Sequence, residues 1–302
     1  MTGIVTITGA TGWLGKSTLE VLLASGHEMT NVIALASAEK KIVLSDGCTI
    51  QAHAISSPPP EIAETEILIH LAYLTRDKVE STGFDKYVLT NLNLTSIALS
   101  WLEKYPIKSF VTVSSGARNN QATGNPETDF HANPYGFLKR IDELVFEDQC
   151  KRRGINSVIT RLWGATGVDM QDASKYAIGN FVISALTKNE IAITSGHRVF
   201  RRYVDSREFM DVCVRLAKSG ESENFDSGGP EAEIGELASE IVRQLNSGID
   251  ISRSMSNERS DDIYFPTGMD FEKLAASVEV ELSDISAQIR NTIAGQRLLF
   301  DL

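Results

Sequence analysis

The chain has 302 residues, 42% of them hydrophobic, and a formal net charge of −11. That length supports one large or two modest packed domains, and the negative balance argues against a general nucleic-acid or anionic-membrane binder, leaving a small molecule as the expected partner. The three cysteines, Cys48, Cys150 and Cys213, form no C-x-x-C pair, and no apolar run approaches the ~20 residues that span a bilayer. A soluble, unprocessed, cytoplasmic protein without a disulfide framework is expected.

In chain order, Ile4 to Ile7 reads as a buried strand, Gly9, Gly12 and Gly15 as a tight bend, and Ser17 to Leu23 as a helix. Unpaired N–H groups at a helix N-terminus favour an anion, and glycines let a pyrophosphate approach the main chain, so a dinucleotide is expected here. Gly15-Lys16-Ser17 looks like the end of a P-loop, but that motif needs glycine at position 10, where the chain has Ala10. Gly26 ends the first helix; Val32–Leu35 and, more weakly, Cys48–Ile55 read as strands, with Pro58–Pro60 forcing an extended loop. Ile67–Ala72 is a continuous apolar strand, Thr82–Tyr105 a long helix closed by Pro106, and Ser109–Val113 the next strand. A helix over Tyr135–Arg153, stopped by Gly154, and a strand over Ser157–Leu162 follow. This alternation predicts an α/β class: a Rossmann-like, doubly wound parallel sheet over residues 1–164.

Beyond that point the pattern is irregular: a helix over Ile178–Lys188, a strand near Ile191–Thr194, a polar segment, and a last helix over Leu282–Ile293. Residues 165–302 are expected to form a smaller α/β substrate lobe, with part of 200–227 packing back on the first domain. In open parallel sheets ligands sit beyond the carboxyl ends of the strands, which selects Gly9–Gly15, Ala72–Arg76, Ser114–Ala117 and Trp163–Gly167. Asn93-Leu94-Thr95 matches a glycosylation acceptor by chance, inside an expected helix. His70 reads as a packed strand-end residue and His131 and His197 as loop residues, none with partners at metal-ligand spacing, so no metal is expected.

Ser114-Ser115 directly follows a strand, and about twenty residues later Tyr135 and Lys139 stand at i and i+4, on one helix face. A phenol with a pKa of about 10 is a poor base at neutral pH, but a nearby ammonium favours the phenolate, so the pair makes a general acid or base.

With these features the sequence resembles the extended short-chain dehydrogenase/reductases, the NAD-dependent epimerase/dehydratase family that modifies nucleotide sugars. The resemblance rests on Thr8–Gly15, Ile69–Ala72, Asn91–Thr95, Val113–Ala117, and Tyr135 with Lys139. It implies that Tyr135 exchanges a proton with a substrate oxygen, Lys139 binds the nicotinamide ribose and lowers the Tyr135 pKa, Ser115 rather than Ser114 hydrogen-bonds the same oxygen, and Asn91 supports them. It assigns the cofactor to Gly9, Thr11, Gly12, Trp13, Leu14, Gly15, Ser37, Leu71 and Ala72, together with Tyr135 and Lys139. Asn180 and Arg201, by their match to the family's nucleotide- and phosphate-binding segments, are assigned to the substrate with Ser115; the bland alternative for Arg201, Arg202 and Arg207 is a solvated basic cluster balancing nearby acids.

Departures from the family pattern refine the expectation. Ala36-Ser37-Ala38 lacks the acid that NAD-preferring members place at the end of the second strand, and Lys40 and Lys41 are close by, which favours NADP over NAD. The family's adenine-contacting Asp is replaced by Ala54. Gly116 and Ala117 stand where dehydratases and decarboxylases carry acids and where epimerase-reductases carry a cysteine, and Asn119-Asn120 replaces a Tyr-Gly pair. What remains is redox at a C=O/C–OH centre of a nucleotide-activated sugar: a keto-sugar reductase, with a 4-epimerase holding NAD as the alternative and a non-catalytic NAD(P)-binding sensor as a remote one. The resemblance also implies a homodimer through the two long helices.

Overall fold

Apolar runs of strand length alternating with helical periods build the first half of the chain, and the computed structural model describes residues 3–120, 124–245, 248–255, 260–266 and 268–301. The elements begin β1 (Ile4–Thr8), α1 (Trp13–Ala24), β2 (Val32–Ala36), β3 (Lys40–Val43), β4 (Thr49–Ala54), β5 (Thr65–His70), α2 (Lys78–Thr82), α3 (Phe84–Lys104), β6 (Ser109–Ser115), α4 (Pro134–Arg153) and β7 (Asn156–Leu162). They continue β8 (Ala165–Thr166), α5 (Ala177–Lys188), β9 (Glu190–Ile193), β10 (Val199–Arg202), β11 (Val204–Asp205), α6 (Ser206–Ser219), β12 (Glu223–Asp226), β13 (Glu231–Glu233), α7 (Ile234–Leu245), β14 (Asp250–Arg253), β15 (Asp262–Tyr264), α8 (Asp270–Ser277) and α9 (Ile285–Phe300). They fall into two compact units, Met1–Leu162 with Met210–Asp226, and Trp163–Phe209 with Ser227–Leu302.

The first unit is organised on an eight-stranded sheet in the order β12-β7-β6-β5-β1-β2-β4-β3. Every pairing in it is parallel except that of β3 with β4. The central strands are buried on both faces, as a doubly wound sheet requires: Ile7, Leu68, Ile69, Phe110 and Val111 are inaccessible to solvent. Phe110 packs on Phe146 of α4 with ring centroids 4.8 Å apart, so truncating either ring to alanine would cost about 3–5 kcal/mol. From β1 the chain runs outward one way to β2 and the other way to β5, so the glycine loop leaves β1 at the switch point of the sheet, where such folds bind ligands.

The second unit contains a three-stranded sheet, β13-β10-β15, and two two-stranded pairs, β11-β8 and β14-β9. Its helix α7 buries Ile234, Leu237, Ala238 and Ile241, the i, i+3, i+4, i+7 stripe of an amphipathic helix.

Several sequence expectations are corrected. The helix expected over Thr82–Tyr105 is α3, which starts at Phe84 because Gly83, at φ +83, separates it from the short α2 ending at Thr82. Ser114 and Ser115 close β6 rather than follow it, pairing with Arg161 and Leu162 of β7. Lys40 and Lys41 open an unanticipated edge strand, β3. The segment read as polar and irregular holds α6, α7 and α8. The last helix starts at Ile285 rather than Leu282, because Asp284 caps it by accepting from the Ala287 N–H at 2.7 Å, and it runs on to Phe300.

Candidate active site

The glycine loop is shaped by contacts that leave no room for side chains. Gly9 has φ +70, and a Cβ on it would lie 2.7 Å from the Ala72 nitrogen; one on Gly15 would lie 2.2 Å from the Gly9 carbonyl oxygen. The loop therefore packs directly on the turn after β5 and on its own helix. That turn is fastened to β1, since the Leu71 and Ala72 N–H groups both donate to Thr8 Oγ1 at 3.1 Å. Gly12 precedes α1 as its N-cap and, being glycine, provides no side-chain cap, so the positive end of the helix dipole lies open beside it. This cradle fits a pyrophosphate, with Thr11, Trp13 and Leu14 partly exposed along it. Ser37 is exposed just past β2, Ala54 ends β4 opposite Ala36, and Lys40 and Lys41 are exposed on β3. Glu39, three residues past the end of β2, is the first carboxylate after that strand.

Ser115, Tyr135 and Lys139 are brought together by the approach of α4 to the end of β6. Asn133 caps α4, accepting from the Gly136 N–H at 3.0 Å, and its amide donates to the Ala117 carbonyl at 3.0 Å and to Glu127 Oε2 at 3.0 Å. The approach is so close that a Cβ on Gly136 would lie 1.9 Å from the Ala117 oxygen. Ser115 Oγ accepts from the Ala117 N–H at 3.2 Å, which leaves its own proton available to donate. Ser114, on the other face of the strand, has a buried hydroxyl without a hydrogen-bond partner among the described residues. Lys139 is 7% exposed and donates from Nζ to the Val113 carbonyl at 2.9 Å. Tyr135, one turn earlier, is partly exposed.

A buried polar network supports this face. Asn91, on α3, accepts from the Leu74 N–H at 2.8 Å and donates to the Leu74 carbonyl at 3.2 Å, pinning the loop after β5. One turn on, Thr95 hydrogen-bonds Asp142 at 2.7 Å. Burial pushes the Asp142 carboxyl up to about 6, against the pull of Lys139 and Thr95, and burial pushes the Lys139 ammonium down to about 8, against Asp142 and Glu143. His70 is held neutral, down to about 3, by burial and then by Lys139; it shares a 2.9 Å hydrogen bond with Thr8 and meets Phe146 edge-on. Tyr73 lies with its ring 3.6 Å from Lys139 Nζ and edge-to-face with Tyr135, centroids 6.0 Å apart.

Sequence reading left out Tyr73 and Asp142. Asp142 was visible in principle, three residues after Lys139 on the same face, and Tyr73 directly follows the Leu71-Ala72 pair. Glu143 binds Arg118 at 2.9 Å and Arg161 at 2.8 Å, and Arg161 reaches Asp226 of β12 at 3.4 Å. This ties the segment after β6 to β7 and the sheet edge.

Asn180 and Arg201 belong to the second unit. Asn180 is exposed on α5 and donates to the Ser174 carbonyl at 3.3 Å. Arg201, in the middle strand β10, forms an ion pair with Asp262 of β15 at 2.9 Å and sits 5.4 Å from the Tyr264 ring centroid. Arg207 pairs with Asp169 at 2.7 Å, and Arg202 reaches the Gly268 carbonyl and the Phe265 ring. The three arginines thus each have a partner within their own unit. Among the described residues, no helix is long and apolar enough to cross a membrane.

UDP-glucose 4-epimerase of Rhizobium meliloti is 25% identical over 231 residues, 70% of this chain and 66% of the relative. UDP-glucuronic acid decarboxylase 1 of Xenopus tropicalis is 23% identical over 276 residues, 85% of this chain and 63% of the relative. The chain thus spans somewhat less than two thirds of the length of these curated relatives. Among solved structures, UDP-N-acetylglucosamine 4-epimerase from Methanobrevibacter ruminantium M1, in complex with UDP-N-acetylmuramic acid, superposes with a TM-score of 0.76 at 17% identity, covering 99% of both chains. The model of the NAD dependent epimerase/dehydratase family matches residues 5–228, most of the chain, and the protein belongs to that family.

Proposed function

We propose that the protein is an NAD(P)-dependent oxidoreductase acting on a C=O/C–OH centre of a nucleotide-activated sugar, working as a keto-sugar reductase. The observation that carries this reading is the convergence of Ser115, Tyr135 and Lys139 where α4 abuts the end of β6. The cofactor is assigned to Gly9, Thr11, Gly12, Trp13, Leu14 and Gly15 around the uncapped α1 terminus, with Ser37 at the adenosine end and Leu71, Ala72, Tyr135 and Lys139 toward the nicotinamide. When bound, it supplies hydride chemistry at the substrate carbon.

The chain's own residues handle the oxygen. Ser115 Oγ, oriented by the Ala117 N–H, donates a hydrogen bond to the substrate oxygen, and Tyr135 delivers its phenolic proton as that oxygen gains charge. Lys139 places a positive charge that favours the tyrosinate left behind. Asn91 keeps the Leu74 loop seated, and Asn180 and Arg201 are assigned to the substrate nucleotide, Arg201 to its diphosphate. Absence of a carboxylate at the end of β2, with Lys40 and Lys41 on β3, supports a preference for NADP. Tighter binding of NADPH than of NADH in parallel titrations tests that preference.

The second reading, a 4-epimerase with tightly held NAD, draws support from the epimerases among the relatives. An assay with a keto-sugar nucleotide and NADPH separates the two. Stoichiometric NADPH consumption supports the reductase; interconversion of UDP-glucose and UDP-galactose without net consumption replaces it with the epimerase. Gly116 and Ala117 offer no acid–base group beside Ser115, which weighs against elimination and decarboxylation.

A further inference from the structure

We propose that Tyr73 is a positioning residue for Lys139: its ring face seats the ammonium beside Tyr135 and keeps it charged, an inference that rests on the Tyr135–Lys139 chemistry proposed above. The ring centroid lies 3.6 Å from Nζ, well inside the ~6 Å reach of a cation–π contact, at a lysine only 7% exposed. The same ring meets Tyr135 edge-on, so one side chain touches both members of the pair. Its hydroxyl is buried and has no hydrogen-bond partner among the described residues. What the site uses is therefore the aromatic face.

The charges around Lys139 explain why a ring matters there. An ammonium has three donors, and one goes to the Val113 carbonyl of β6. On α4, Glu143 is engaged by Arg118 and Arg161, and Asp142 is bonded to the neutral Thr95 of α3. On β5, His70 stays neutral and offers no charge. Tyr87 of α3 interacts electrostatically with Tyr73 and Tyr135, and burial raises its phenol. Burial draws Lys139 down to about 8, close enough to neutrality that losing one favourable contact changes its charge at working pH. A desolvated π face opposes that loss, and replacing it by an alkyl side chain is expected to lower the Lys139 midpoint by about one pH unit.

The test titrates the full-length protein with NADH, or with NADPH if that binds more tightly, from pH 6.5 to 9.5, following tryptophan fluorescence. Wild-type protein is expected to lose affinity above a midpoint that Lys139→Met abolishes. Tyr73→Phe keeps the wild-type midpoint, and Tyr73→Leu moves it down by about one unit, with thermal melts confirming that both variants fold. A wild-type midpoint in Tyr73→Leu, a Tyr73→Phe shift as large as that of leucine, a midpoint that survives Lys139→Met, or no midpoint in the wild type each overturns the proposal. Turnover that survives Tyr135→Phe counts against the functional reading alone and leaves these midpoints to judge Tyr73. A protein that binds neither cofactor refutes both.

Discussion

Gly136→Ala perturbs the active site without removing any group that touches the reaction. A Cβ there would sit 1.9 Å from the Ala117 oxygen and 2.5 Å from Asn133 Nδ2, where ordinary contact begins at 3.4 Å. The overlap of about 1.5 Å involves backbone on one side and a capping side chain bonded to both segments on the other, so α4 must back away from the end of β6. Tyr135, the preceding residue, moves with the helix, while Ser115 stays in the sheet. A misplacement of about 1 Å between reacting groups costs on the order of 100-fold in rate. Gly136→Ala is therefore expected to lower kcat about 100-fold, and the cofactor Kd rises as well, because Lys139 shifts with the same helix. Gly154→Ala is the control: its φ of +66 makes alanine cost about 1 kcal/mol, but nothing lies within 4 Å of the new Cβ, so Tm falls while kcat holds. A Gly136→Ala enzyme within twofold of wild-type kcat would refute the claim that this contact sets the site.

Tyr135→Phe removes only the phenolic oxygen and is expected to reduce turnover by about 10²–10⁴-fold, checked by steady-state kinetics. His70 gives a pH prediction for stability. It is neutral in the fold down to about 3, while the unfolded chain takes up a proton below about 6.5, so its stabilisation is present above pH 6.5 and is lost as pH falls toward 3. Between pH 6.5 and 5 this amounts to about 2 kcal/mol, and urea unfolding of His70→Asn should lose about that much less over the interval; parallel curves for the two proteins would sink the assignment. At β10, Arg201→Ala is expected to weaken UDP binding roughly tenfold by calorimetry, and Asp262→Asn to strengthen it severalfold by releasing the guanidinium from its present ion pair. UDP affinity indifferent to both changes would remove Arg201 from the substrate site.

Much of the first unit was legible because its signals are local. Ile4 to Gly15 states strand, bend and helix within a dozen residues, and the i, i+4 spacing of Tyr135 and Lys139 places them on one face whatever the rest of the chain does. Other elements are set by pairing between strands rather than by a local signal. Ser114 and Ser115 extend β6 because Arg161 and Leu162 pair with them, and Lys40 and Lys41 become a strand because β4 lies alongside. Helix α7 is a different case: its four buried residues carry a readable 3.6 period, hidden only by the density of charge between them. Tyr73 and Asp142 gain their meaning from what surrounds Lys139, and only the folded chain brings Thr95, Val113 and the two tyrosines to it.

The outermost strand of the main sheet carries a consequence for synthesis. β12 pairs in parallel with β7, but the chain between them first supplies Trp163–Phe209 to the second unit. On a ribosome adding about 5–20 residues per second, β7 waits roughly 3–13 s for the strand that covers it. During that interval the backbone of Asn156–Leu162 is an open sheet edge carrying Arg161, which Glu143 already holds but whose second partner, Asp226, has not yet been made. The nascent chain thus holds its most aggregation-exposed edge at the moment when the Tyr135 helix is already complete. A truncation after Leu162 would make that passing state permanent.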